Sequence, residues 1–170
     1  RMKVNIVKFN LLQKFQEKFD TLYNDPEFAF KGDNILISMI CSSLQFENIE
    51  QYSNEGLLKQ GVISPGITFV LDGVVDMHYK YYKEPILIYE EAIYFGEISY
   101  MFKIRNQYRY CVRQDDQNKK TKVYSIHGYY LEEIFETFPE FKDLLTIRAL
   151  RRQHYYRKLR KQQIEFNLLR

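Results

Sequence analysis

Two hydrophobic periods alternate along this chain. In residues 1–45, Leu11, Leu12, Phe15, Phe19 and Leu22 recur at helical spacing, and Asn24-Asp25-Pro26 ends that helix. A second helix is predicted from a cap at Asp33 to Leu44. From residue 46 to 126 the period shortens. Ile67–Leu71, Val74–His78 and Lys122–Ile126 are short apolar or alternating runs bounded by Gly, Pro and Asp, the pattern of strands. Asp72-Gly73 between two such runs predicts a hairpin, and Asp115–Lys120 reads as a polar loop. The helical period returns over 128–163, with Pro139 at the first turn of a new helix or as a kink.

Helices, then strands, then helices make an α+β arrangement rather than an alternating one. The expectation is a jelly-roll-like antiparallel β-roll over residues 46–126, preceded by N-terminal helices, interrupted by a short helix at 96–102 and closed by C-terminal helices. The segments are 1–45 (helical, linker-like), 46–163 (roll and its helices) and 164–170 (tail). Phe69, Val70, Phe95, Ile98 and Leu131 are expected in the core.

Composition narrows the class. At 170 residues with 45% hydrophobic and 28% charged side chains, the chain makes one domain with a real core. It holds no apolar run of membrane-spanning length and no signal peptide, and a start at Arg1 suits a processed product or an excised fragment. Cys41 and Cys111, far apart, suit buried thiols in a reducing compartment. His78, His127 and His154 share no metal-ligand spacing with each other or with either cysteine. No nucleophile elbow, phosphate loop or dinucleotide fingerprint occurs. The expected class is therefore a non-enzyme without cofactor or metal.

The candidate chemistry lies at Ile93-Tyr94-Phe95-Gly96-Glu97-Ile98-Ser99-Tyr100-Met101-Phe102. A strand end followed by Gly-Glu and a short helix aims backbone N–H groups at one point, which suits an anion, and Glu97 could accept from a sugar hydroxyl. Before it come Gly61, the Pro65-Gly66 turn and the Asp72-Gly73 turn; after it come the strand Lys122–Ile126 and the Phe138-Pro139 pair between helices. In this order the chain resembles the cyclic nucleotide-binding domain family over roughly residues 15–160. The helix Asp33–Glu47 makes it most similar to the channel branch, that of hyperpolarisation-activated and related voltage-gated channels.

The resemblance implies a regulatory domain in which the last helix moves against the roll and biases gating. It would be a cytoplasmic domain of a membrane protein, with cAMP or cGMP as ligand, neighbouring channel subunits as partners and a homo-oligomeric parent. It also implies the site: Phe95, Gly96, Glu97, Ile98 and Ser99 as the cassette, an arginine for the phosphate, and Arg152 on the lid helix, counted from Phe138-Pro139. The phosphate half departs from the family pattern. Arg105 precedes Asn106 and Arg109 lies between Tyr108 and Tyr110, so neither arginine is followed by a small residue. Strand alternation puts Arg109 and Cys111 on one face and the two tyrosines on the other. Either a tyrosine ring fills the phosphate pocket or the loop is remodelled, and weak or lost nucleotide binding follows.

Two alternatives stay open. One is a ligand-independent homology domain with a tyrosine or the tail in the pocket. The other is a basic adaptor contacting nucleic acid or acidic lipid through residues 148–161, where Arg148, Arg151, Arg152, Arg157, Lys158, Arg160 and Lys161 run without an acid. A net charge of +3 argues against a dedicated nucleic-acid protein, leaving membrane contact to that basic helix or to the parent chain.

Overall fold

The computed structural model describes residues 2–25, 30–48, 56–113 and 121–170, with backbone only for residues 2–9. Pro26 and the polar loop expected at 115–120 lie outside the described residues. Helix α1 (Met2–Lys18) and the single turn α2 (Asp20–Tyr23) carry Phe15, Phe19 and Leu22 into the core, on the stripe that their spacing predicts. Helix α3 (Asn34–Ser43) starts where Asp33 accepts a hydrogen bond from the Leu36 N–H at 2.8 Å, an N-cap that satisfies an otherwise orphaned donor. Between these helices lies a small antiparallel ribbon, β1 (Asn24–Asp25) and β2 (Phe30–Lys31). A wholly helical 1–45 is therefore corrected.

The roll is built from two antiparallel sheets. One has the strand order β3 (Gln45–Glu47), β9 (Lys122–His127), β4 (Gly66–Asp72), β7 (Ile93–Phe95); the other has β6 (Leu87–Tyr89), β5 (Val75–Tyr79), β8 (Tyr108–Val112). The fold class expected from the sequence is the one observed. The hairpin expected at Asp72-Gly73 is not. Strands β4 and β5 pair with different partners, so the chain changes sheets there. The pairing of β4 with β9 shifts register between Val70 and Asp72, and Gly73, at φ +118, packs against the Thr121 side chain. A turn dipeptide specifies reversal of direction, not the partner of the strand that follows.

The reason for two sheets lies in which faces must be buried. In β4, Ile67, Phe69 and Leu71 face a first core shared with α1–α3, α5 (Gly128–Thr137) and the start of α6 (Pro139–Leu168). Val70, on the opposite face, joins a second core between the sheets with Val75, Met77, Tyr79, Ile93, Phe95, Tyr108, Tyr110 and Val123. Side chains alternate across a strand, so a strand apolar on both faces has to be covered on both. Of the core residues expected, Phe69, Val70, Phe95 and Leu131 are buried, while Ile98 is half-buried against the second core.

Pro139 occupies the first turn of α6, where its missing N–H costs nothing. Phe141, just beyond it, is buried beside Phe135 at 6.1 Å and Phe30 at 6.4 Å. Helix α6 then runs the length of the domain. Its inner stripe passes from Leu144, Leu145 and Ala149 through Arg152 to Tyr156, which is 1% exposed in the second core. It continues to Leu168, into the stretch 164–170 expected as a tail, because Ile164 still packs against the second core.

Phe69 makes edge-on contacts with Phe15 at 5.3 Å and Phe19 at 5.2 Å. Phe69→Ala should cost about 3–5 kcal/mol in urea unfolding, since Phe15 and Phe19 cannot fully collapse into the cavity left behind. A second prediction concerns alkaline pH. Burial pushes the hydroxyls of Tyr110 and Tyr156 above the ordinary tyrosine range. Ionisation is then easier in the unfolded chain, so the stability from these rings is complete below about pH 10 and is lost as pH rises further. Ultraviolet titration should show a tyrosine fraction that ionises only as circular dichroism is lost.

Candidate functional site

Strand β7 ends by burying Phe95, whose ring stacks on Tyr110 with centroids 4.1 Å apart. Gly96 then turns the chain at φ +91, and a Cβ there would lie 2.9 Å from Ser64 Oγ and 3.0 Å from the Gly66 carbonyl. Only glycine combines that backbone with that clearance. Helix α4 (Glu97–Phe102) follows at once, so Glu97 is its first residue and is 2% exposed. The Ser64 N–H donates to Ser99 Oγ at 2.8 Å, and Ser99 Oγ donates to the Ile104 carbonyl at 2.6 Å. Tyr100 donates to Glu132 at 2.6 Å, tying α4 to α5. These bonds tie the cassette on several sides into a shelf.

Beyond α4 the chain turns at Lys103 (φ +53) into the loop where a phosphate-binding arginine is expected. Its centre is Asn106, a buried side chain that donates to the carbonyls of Lys59 (3.2 Å) and Tyr108 and accepts from the Tyr108 N–H. The Asn106 backbone pairs with Gly61 at 2.7 Å and Val62 at 2.8 Å. This double clip holds the loop against residues 59–62. The space left between cassette, loop and α6 is about 30 Å³, room for water but far short of the several hundred Å³ of a nucleotide site.

Helix α6 lies over the shelf and supplies its main polar contact. Arg152 Nη1 donates to Glu97 Oε1 at 2.7 Å and to the Tyr94 carbonyl at 2.6 Å. The two side chains are 18% and 2% exposed. Burial works against the guanidinium's charge, yet Glu97 and the surrounding tyrosines hold its pKa well above the ordinary value, so it is a fixed cation. Its Cζ lies 4.8 Å from the Tyr94 ring centroid, 5.5 Å from Tyr156 and 6.0 Å from Tyr89. The hydroxyls of Tyr89 and Tyr156 are 2.5 Å apart, which braces two of those rings.

The structure thus separates the candidate residues. Gly96, Glu97, Ile98, Ser99 and Arg105 line the small cavity, with Arg105 exposed. Phe95 lies beneath it in the core, and Arg152 reaches Glu97 from above. Arg109 is not among the lining residues: it alternates away from the inward tyrosines and stands beside Cys111. Both tyrosines of β8 do face inward into the second core and border the cavity. The basic run is divided, because Arg148 pairs with Asp25 at 2.9 Å and Arg160 donates to Gln107 at 2.5 Å. The sequence gives no role in the site to Asn106 or Tyr156, and places Arg157 only in the basic run. The spacing Leu145, Ala149, Arg152, Tyr156 was a usable signal for Tyr156; Asn106 gave none.

No protein-family model matches this sequence, and no curated protein matches it. Solved structures share the fold. A cyclic nucleotide-binding domain from Methylobacillus flagellatus superposes with a TM-score of 0.61 at 13% identity, covering 89% of this chain and 83% of that one. The regulatory domain of Toxoplasma gondii PKA, solved with cAMP, gives 0.61 at 12% identity, covering 85% and 50%. The catabolite activator protein of Thermus thermophilus gives 0.51 at 15% identity, covering 81% and 60%. The chain thus spans 60% and 50% of the last two proteins named from Thermus and Toxoplasma respectively. At these identities the likeness is one of fold: this chain has the architecture of a cyclic nucleotide-binding domain.

Proposed function

We propose that the chain is a non-catalytic regulatory module of the cyclic nucleotide-binding type, in which α6 is the moving part and its own side chains hold the ligand site closed. The observation that carries this reading is the buried Arg152–Glu97 pair. Glu97 is the acceptor that a ribose hydroxyl would need, and it is already engaged. A cyclic nucleotide would have to part that pair, which costs about 3–5 kcal/mol when a buried charge is stranded. It would also have to open the loop clipped by Asn106.

The phosphate would gain little in return. Arg105 and Arg157 border the cavity but are exposed, and Arg109 stands on the other face of its strand. Without a bidentate arginine partner, a phosphate forgoes a charge-assisted bond worth roughly 1.5–3 kcal/mol, a ten- to hundredfold loss in affinity. Displacement of Arg152 adds a further loss of similar size or more. What could shift α6 is a force or partner acting on the helix itself, since a ligand moves an equilibrium only by binding one state better than the other.

The wider setting belongs to the same proposal. Residues 46–163 would be the regulatory unit and 1–45 its linker, under an ion channel on the cytoplasmic side and beside neighbouring copies of the same subunit. The support is the sequence order of helix, roll, cassette and lid. The regulatory domain of like fold solved with cAMP supports a cyclic nucleotide as the ligand class to test.

Calorimetric titration of the wild-type domain with cAMP and with cGMP tests the closed site. The expected result is no saturable heat in the low-micromolar range for either nucleotide. Low-micromolar binding would overturn the reading and would mean that Arg105 or Arg157 reaches the phosphate through a rearranged loop.

A further inference from the structure

We propose that the cassette of this roll has become a receptor for a guanidinium group, with Arg152 as its resident ligand. The inference rests on the closed-site reading and names the chemistry that the site now selects.

Every group that meets Arg152 here is electron-rich. Glu97 offers a carboxylate oxygen at 2.7 Å and Tyr94 a backbone carbonyl at 2.6 Å. The rings of Tyr94, Tyr156 and Tyr89 surround the Cζ atom within 6.0 Å. Carboxylate, carbonyl and π faces all attract a cation and repel an anion. A phosphate placed where this guanidinium lies would meet a carboxylate, a carbonyl oxygen and three ring faces rather than a cation. The fold of an anion receptor therefore encloses a cation site.

The geometry also favours guanidinium over ammonium. A single Arg152 nitrogen, Nη1, donates to both the Tyr94 carbonyl and Glu97, and the rest of the planar, delocalised group lies among the tyrosine rings, space that an ammonium seated at Nη1 would leave empty. The cage is braced independently of Arg152, by the Tyr89–Tyr156 hydroxyl contact, by the packing of Tyr94 against Phe69 at 6.1 Å and by the shelf that fixes Glu97. Removing the arginine side chain should leave a preformed hole that keeps the Glu97 carboxylate, the Tyr94 carbonyl and the tyrosine faces, with Arg148 on the far side of Tyr94.

The test is chemical rescue of Arg152→Ala, followed by thermal melting and by tyrosine fluorescence, which is readable because the chain has 15 tyrosines and no tryptophan. The variant should melt below the wild type. Millimolar methylguanidinium should raise its midpoint by several degrees in a saturable way, while methylammonium and cAMP at equal concentration should not. The wild type, with its cage filled, should show no such rise, and Glu97→Ala added to Arg152→Ala should abolish it. Equal rescue by methylammonium, rescue by cAMP instead, or no saturable rescue by any of the three would overturn the proposal. If Arg152→Ala does not fold, Arg152→Gln replaces it in the same titrations with the same outcomes. Tight cAMP binding by the wild type would defeat the closed-site reading separately, whatever the variant prefers.

Discussion

A buried charge must keep its partner, and here that requirement joins two parts of the chain 55 residues apart, Arg152 on α6 and Glu97 on the cassette. Neither group can be desolvated alone without a penalty of several kcal/mol. Once Glu97 heads a helix packed under the lid, α6 must bring its cation to it. The rest of the arrangement follows from that contact. Helix α6, roughly 45 Å long at 1.5 Å per residue for its 30 residues, is fixed at one end by Phe141, Leu144 and Leu145 in the first core and further along by Tyr156 in the second. Between these apolar anchors the ion pair joins the helix to the cassette.

This arrangement makes the lid part of the core rather than a flap over it. Moving α6 outward would expose Tyr156, strand Glu97 and break the Arg148–Asp25 contact that ties the helix to the β-ribbon. If α6 is the moving part, as proposed, these contacts hold it toward closed unless something pulls on the helix. A conventional ligand would need a differential affinity of several kcal/mol to shift it. The loop centred on Asn106 offers no compensation, since its hydrogen-bonding capacity is spent on the carbonyls of Lys59 and Tyr108.

Local features were legible in the sequence because they depend on neighbours in the chain. The Asp33 cap, the Gly96 turn into a short helix, Pro139 at a helix start and the alternation of Tyr108 and Tyr110 are set within a few residues, and the structure has each of them. Arg152 could be placed on the lid by counting, but its partner could not, since nothing local links position 152 to position 97. Partner choice also defeated the reading of Asp72-Gly73: a reversal was signalled, but the sheet that receives the next strand depends on which faces need covering. Likewise the small β-ribbon between α2 and α3 and the continuation of α6 past residue 163 depend on contacts with distant elements, Arg148 for the first and the second core for the other.

A double-mutant cycle on Glu97 and Arg152, read by urea unfolding, tests the central claim most directly. If the pair locks the lid, Glu97→Ala and Arg152→Ala should each destabilise the domain by about 3–5 kcal/mol, and the double variant should lose little more than either alone. The coupling would then exceed about 2 kcal/mol. Losses that add to within about 0.5 kcal/mol would show that the two side chains act independently, and the account of a self-liganded, closed site would be contradicted.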